Sequence, residues 1–419
     1  MQTPARRGLL ALLRENRGYR NLWLAQLVSL IGDFFNLTAL QTLVSGGAPE
    51  GETGKALGML FLNYTLPAFL LGPFAGVIVD RSDRRHVMIG CDLARAAVAF
   101  SFCFLTGPGQ LPLLYAGVAC LFAFSAFFEP SRAALLPDLV AREDLATANE
   151  LQAATWSIAF AFGAALGGVV TSAFGFGAAF TVNALSFVAS ALLVMGIGPG
   201  VGARPAGHQR EGFFAELRTG LRYIFNDRST LALLTVKPAW CLGNSLSMVL
   251  VIFGSKVFPI GKGGAASIGI LSSSRAMGTL LGPIASRFLT RGQPPRMWRA
   301  IPFAYLVGAT FALLFSRSSS LAECCAYLVL THLGGSTLWI FSMVLLQARV
   351  PGPMRGRVFS TEQMAYTLAM GASYGAMGLA MDWWHLSPRG MGEVLSVVFA
   401  VPGLIWLAMS LTWPREPLP

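Results

Sequence analysis

Long apolar runs separated by short polar connectors set the pattern of this chain. Twelve runs of about 20 residues are long enough to cross a bilayer as helices: roughly 20–44, 56–79, 86–106, 111–130, 148–172, 176–197, 230–254, 265–289, 299–316, 321–347, 358–381 and 392–412. Gly or Pro interrupts some of them, which membrane helices tolerate better than soluble ones. Two shorter stretches read differently. Leu9–Leu13 predicts a short interfacial helix; it is too brief for the apolar core of a signal peptide, and charges continue to Arg20. Phe213, Phe214, Leu217, Leu221, Ile224 and Phe225 recur at helical spacing among charged residues, which predicts an amphipathic helix on the membrane surface. Before it, Gly198 to Gly212 is rich in Gly, Pro and Ala and reads as a flexible tether. A weaker amphipathic lead-in, Arg142 to Asn149, precedes the fifth run.

The pattern also repeats. Leu70-Leu71-Gly72-Pro73 at the end of the second run returns as Leu280-Leu281-Gly282-Pro283, an offset of 210 residues in a chain of 419. Gly32-Asp33 maps near Gly243-Asn244, and Glu150 through Gly163 maps onto Glu362 through Gly375, at offsets of 211 and 212. Such register predicts a duplicated architecture. The expected fold is all-α: two pseudo-symmetric six-helix bundles, 1–197 and 230–419, joined by a linker at 198–229.

Composition sharpens this picture. Hydrophobic residues make up 54% and charged residues 12% of the chain, about half the charged share of soluble proteins. Lipid is therefore the expected solvent. The net charge of +11 follows topology instead of forming a nucleic-acid surface. With the N-terminus placed in the cytoplasm and run ends counted with the adjoining loops, 23 of the 31 Lys and Arg fall on the cytoplasmic side, five fall outside (Lys55, Lys256, Lys262, Arg317, Arg389) and three fall deeper within runs (Arg95, Lys237, Arg275). This bias predicts both termini in the cytoplasm, with the basic excess against anionic lipid. The six cysteines lie in apolar segments without metal-ligand spacing and read as small core residues. The four histidines are isolated, and no phosphate-cradling loop or catalytic triad phrase is present. No cofactor and no metal are expected.

A few polar positions inside apolar runs carry the candidate chemistry. Asp33 lies about thirteen residues into the first run, near mid-membrane. A charge there costs at least ~2.5 kcal/mol, so it must face a cavity or a partner. It could exchange protons, contact a cationic substrate, or be held structurally by neighbouring helices. Lys237 precedes Pro238 near the start of the seventh run; it could serve coupling or substrate binding, or its stem could snorkel to the interface. Arg275 is deeper, cannot shed its charge, and needs an acid, a carbonyl or an anionic substrate; a pair with Asp33 is one option. Asp92 and Arg95, three apart, share a helix face and read as an intrahelical pair. Glu362 begins the eleventh run and reads as a helix cap in preference to a proton-transfer group. Asn36, Asn63, Tyr64, Trp156, Asn183, Trp240, Asn244, Trp339 and Tyr366 are candidate cavity-lining residues, or packing and lipid-facing ones.

Between the second and third runs stands Gly76-x-x-x-Asp80-Arg81-x-x-Arg84-Arg85. With two six-helix halves and a cytoplasmic link, this loop resembles the major facilitator superfamily over nearly the whole chain. Gly32-Asp33, Asp92-x-x-Arg95, Glu129-Pro130-x-Arg132 followed by Leu136-Pro137, and Arg355-Gly356-Arg357-Val358 narrow the likeness to the twelve-span efflux branch of enterobactin and macrolide exporters. The resemblance implies that Asp80 faces the start of the eleventh span near Ser360–Glu362. There it would stabilise the positive end of that helix. Arg84 could pair with Glu129. Gly76, Asp80, Arg81, Arg84, Arg85, Glu129, Arg132 and Glu362 would then gate the cytoplasmic side, or serve only as positive-inside anchors. Two departures stand out. Ser82 or Asp83 stands where the family loop often has Gly, and Gly163-Ala164-x-x-Gly167-Gly168 lacks the proline usual in antiporters.

The combined expectation is a monomeric secondary transporter without enzyme activity. It would export a small amphipathic molecule, a drug-like compound or siderophore, in exchange for protons, by alternating access about a mid-membrane site. An importer of the same fold or a lipid flippase keeps the same motifs. A membrane enzyme or sensor would need clustered catalytic groups or a soluble domain, and the sequence has neither.

Overall fold

Each apolar run becomes a helix, and the caps show why the helices start where they do. The computed structural model describes residues 9–107, 109–198 and 213–412. Its helices are α1 (Leu9–Glu15), α2 (Arg17–Gly47), α3 (Thr53–Arg81), α4 (Arg84–Ser101), α5 (Leu111–Leu139), α6 (Leu145–Phe174), α7 (Phe176–Met195), α8 (Phe213–Asn226), α9 (Arg228–Cys241), α10 (Leu246–Ile252), α11 (Ala265–Thr290), α12 (Pro294–Ser316), α13 (Leu321–Arg349), α14 (Gly352–Trp383) and α15 (Pro388–Thr412). No strand occurs among the described residues. Asn16 opens α2 by accepting from the Tyr19 amide at 2.9 Å, and Ser320 opens α13 by accepting from the Glu323 amide at 3.2 Å. Asp83 opens α4 by accepting from the amides of Arg85 and His86, which holds its carboxyl below the usual range. The departure from glycine in this loop therefore supplies a cap. At the α6–α7 corner Gly175 adopts φ 84°, a left-handed conformation that favours glycine.

Nine of the twelve predicted runs match these helices to within about five residues; α5 runs nine residues beyond the fourth, α14 starts six before the eleventh, and the seventh departs further. The seventh is broken: α9 ends three residues after Pro238, turns follow through Ser245, and α10 then leads into a π-helical segment, Phe253–Val257. Among the described residues, ten helical segments are long and apolar enough to cross a membrane. α11 and α14 are also long, at 26 and 32 residues, but carry more polar side chains, Arg275 and Glu362 among them. Large apolar residues such as Phe104, Phe162, Leu185, Phe288 and Leu404 are exposed along the spans, as lipid-facing residues are. This is an all-α, multi-pass integral membrane protein.

The chain divides into two compact units. Unit 1 comprises Met1–Ala48, Asn63–His208 and Pro259–Gly269; unit 2 comprises Pro49–Leu62, Gln209–Phe258 and Ile270–Pro419. In unit 1, α2 packs on α6 and α7, and α4 packs on α5 and α7. Tyr19, Leu22, Met88, Phe128, Leu135 and Val194 form part of its apolar core. The core includes Leu12 of α1, and Tyr19 Oη donates to the Ala148 carbonyl at 3.1 Å. The start of α11 lies against α6 with glycine on both sides, since a Cβ on Gly168 would stand 2.5 Å from the Ala265 carbonyl oxygen.

In unit 2, α12 packs on α13 and α15, and α9 packs on α13 and α14. Trp240 stacks on Phe399 at 4.3 Å and meets His332 edge-on. Gly308 and Gly335 make room for its ring. The start of α3 is seated on the end of α14. Gly54 and Gly58 oppose Gly378, and Asp382 accepts from the Gly54 and Lys55 amides at 2.9 and 2.7 Å. The predicted amphipathic helix is α8, which packs on α9 and α14. The tether predicted before it, from 199 to 212, lies outside the described residues. The lead-in at Arg142–Asp144 is a single 3₁₀ turn running into α6.

The cysteines need one correction. All six are free, but only Cys91, Cys241 and Cys324 are buried. Cys120 is exposed, because it falls on the outer face of α5.

Candidate functional site

Charged side chains inside the spans are expensive, so their surroundings locate the candidate chemistry. Unit 1 holds one such group of residues. Asp92 and Arg95 form the expected intrahelical pair on α4, and both are buried. Ser190 of α7 donates to the second carboxylate oxygen of Asp92 at 2.7 Å. The Arg95 guanidinium lies between the rings of Phe128 and Phe187, 4.1 and 4.5 Å from their centroids. The pair therefore ties α4, α5 and α7 together. Asp33, on α2, is half-buried, and among the described residues no hydrogen bond or ion pair reaches it. Arg95, Asp92 and Glu129 are the charges that act on it. The preceding Gly32 is dictated by packing, since a Cβ there would overlap the Ser186 hydroxyl.

The end of unit 1 that carries the start of α4 holds a further group of basic residues. Arg84 is buried but does not pair with Glu129 as expected. Its Nη1 donates to Asp138 Oδ2 at 2.8 Å and to the Ala134 carbonyl at 3.0 Å. Glu129 instead takes Arg132 of its own helix at 2.7 Å, being one helical turn away. Arg132 also donates to Gln26 and Gln152, linking α5 to α2 and α6. Arg85 donates to the last carbonyls of α7, Val194 and Met195. Gly76, Asp80 and Arg81 lie in α3, but their side chains fall outside the described residues, and so does the expected contact of Asp80 with Ser360–Glu362.

Unit 2 holds the second charged group, and here two expectations fail. Lys237 does not snorkel. Its Nζ is 2.8 Å from Glu362 Oε2, and the two residues are 5% and 1% exposed. Glu362 does not cap α14, because that helix starts ten residues earlier, at Gly352. Its other oxygen accepts from the Ser342 hydroxyl at 2.8 Å. Trp339 and Phe359 present ring faces to the ammonium at 4.9 and 5.9 Å. The pair thus joins α9, α13 and α14.

Nearby, at the break between α9 and α10, Arg275 donates to Ser247 and to Asn244 Oδ1. Asn244 donates in turn to Tyr374 Oη at 2.9 Å. Ser373 also serves the break: its hydroxyl accepts from the Ser245 amide and donates to the Leu242 carbonyl. These bonds satisfy backbone groups freed where the helix is interrupted.

The cavity candidates disperse. Asn36 and Asn183 are fully buried between α2 and α7, and Trp240 is a core residue of unit 2. Trp156 joins Phe34 and Phe160 in an aromatic group, and Tyr64 lies on Phe122 with centroids 4.2 Å apart. Trp339 and Tyr366 meet beside Lys237 at 5.1 Å. Asn63 lies on α3 and is half-buried. Ser190, Ser342, Asp138 and Asp382 escaped the sequence reading, since a lone Ser or a terminal Asp carries no local signal. Among the described residues no group of His, Cys, Asp and Glu could hold a metal ion.

Charged side chains held inside apolar helices mark this protein as more than a simple anchor. The comparisons define it further. The family of transmembrane secretion effectors matches residues 8–404, and the chain belongs to this family, within the major facilitator superfamily. The MFS-type transporter YfiS of Bacillus subtilis is 27% identical over 396 residues, covering 90% of this chain and 89% of its own length. Macrolide efflux protein A of Streptococcus pyogenes is 26% identical over 370 residues, covering 84% of this chain and 86% of its own. In fold, the chain matches a bacterial homologue of the iron transporter ferroportin, solved in an inward-facing state. The TM-score is 0.71 at 15% identity, with 93% of this chain and 98% of that one covered.

Proposed function

We propose that this protein is a proton-coupled exporter of small amphipathic organic molecules, drug-like compounds or siderophores, working by alternating access. The observation that carries the proposal is Asp33. A half-buried carboxylate in a span, reached by no hydrogen bond or ion pair from a described residue, is costly to keep, which is understandable if it takes up and releases a proton during the cycle. The likeness to a macrolide efflux protein along most of both chains supports the outward direction. In this reading Asp33 carries the proton. The loop from Gly76 to Arg85, with Glu129 and Arg132, gates the cytoplasmic face, and both termini lie in the cytoplasm of a cell whose inner membrane the protein spans as a monomer. The halves 1–197 and 230–419 rock about the linker at 198–229.

Vesicle orientation tests this directly. Everted vesicles with an acid interior accumulate a radiolabelled macrolide, and a protonophore releases it. Accumulation confined to right-side-out vesicles would make the protein an importer.

A further inference from the structure

We propose that Lys237 and Glu362 form a second proton-responsive site, separate from Asp33, with Glu362 as the proton acceptor and Lys237 as the cation it releases. The proposal deepens the transporter reading and rests on it. The first argument is cost. Two opposite charges, 5% and 1% exposed inside a membrane protein, are stabilised less by each other than an apolar pair of the same volume would be. A purely structural tie between α9, α13 and α14 has no need of them.

The second argument is occupancy. Glu362 Oε1 already accepts from Ser342, so Oε2 is the oxygen that both Lys237 and an incoming proton would use. When a hydronium or substrate proton adds to Oε2 as an O–H, the carboxyl becomes neutral and the ammonium loses its acceptor. Lys237 then has a second resting place already in contact, the faces of Trp339 and Phe359.

The third argument is the element to which the lysine belongs. Lys237 stands one residue before Pro238 and five before the interruption at Leu242–Ser245. A change at Lys237 is therefore delivered to a helix that already has two pieces and a break between them. Arg275 and Asn244 lie at that break. The titratable groups that face the pair are Cys241 on α9 and Tyr366 on α14; Ser342 and Trp339 of α13 complete the enclosure.

The test is an infrared difference spectrum of the full chain in lipid, recorded as pH is lowered. This measurement needs no substrate, so it separates failure of this inference from failure of the transporter reading. Asp33→Asn and Glu362→Gln should each lose a different protonated-carboxyl band. The double variant Lys237→Met with Glu362→Gln, which leaves no buried charge unpaired, should lose the same band as Glu362→Gln. The inference is overturned if the spectra of wild type and of either Glu362 variant superimpose over the whole pH range. In that case the pair is structural.

Discussion

Asp227 supplies a sharp electrostatic prediction because it lies outside the spans, at the entry to α9. It caps that helix through Thr230, whose amide donates at 3.2 Å, and takes Arg349 of α13 in a two-pronged pair at 2.7 and 2.9 Å. These bonds, Arg349 foremost, hold its carboxyl at about 2 instead of 3.8. A depression of that size corresponds to roughly 2 kcal/mol of stability at neutral pH, or about 1–2 after allowing for solvent near a partly exposed pair. Because the folded value is depressed, the contribution is complete above the unfolded value and disappears as pH falls through the folded one. Asp227→Asn keeps a capping side chain but removes the charge. Thermal unfolding in detergent should therefore show a loss of about 1–2 kcal/mol at neutral pH, or about 1–2 degrees in Tm. The gap to wild type should close between about pH 4 and pH 2. A cycle with Arg349→Gln should return a coupling of about 1 kcal/mol or more. An acid-independent cost, or a coupling near zero, would refute the electrostatic account.

Three further perturbations follow from the packing. Asp382→Asn should raise hydrogen exchange at the Gly54 and Lys55 amides roughly tenfold, the loss of a charged helix-start acceptor; unchanged protection would show the seat of α3 on α14 to be held by the glycines alone. In Gly335→Ala the new Cβ would stand 2.2 Å from the Trp240 ring and should cost about 1–3 kcal/mol. That cost should vanish in a Trp240→Leu background. Asp92→Asn strands the buried Arg95 and should cost about 3–5 kcal/mol, which Asp92→Asn with Arg95→Met largely restores; equal damage in both would assign the loss to packing.

Sequence and structure agree where the signal is local. The spans are legible because a membrane helix must be apolar along its whole length, and the Asp92–Arg95 pair because three-residue spacing puts both on one face. The partners of Arg84 and Lys237 were not legible. Asp138 competes with Glu129 for Arg84 on the same helix, and only the level at which α4 meets α5 decides between them. Lys237 and Glu362 are 125 residues apart, and each alone fits a simpler interfacial role. Pro238 hinted at a kink, yet the full break rests on Ser373, which bonds freed backbone groups, and on the side-chain links of Asn244 and Arg275 beside it, and no spacing rule links the three. The loop between α3 and α4 shows the converse. Its motif was plain in the sequence, while its cap, Asp83, stood at the position read as a departure.

The measurement that bears most directly on the central claim is substrate-driven proton movement in proteoliposomes. Wild type and Asp33→Asn would be compared under an imposed pH gradient, with a panel of macrolides, siderophores and amphipathic cations. The account predicts that at least one compound drives proton flux through wild type and none drives it through Asp33→Asn, although that variant still exchanges the same compound across the membrane. Equal proton flux in both proteins would contradict it.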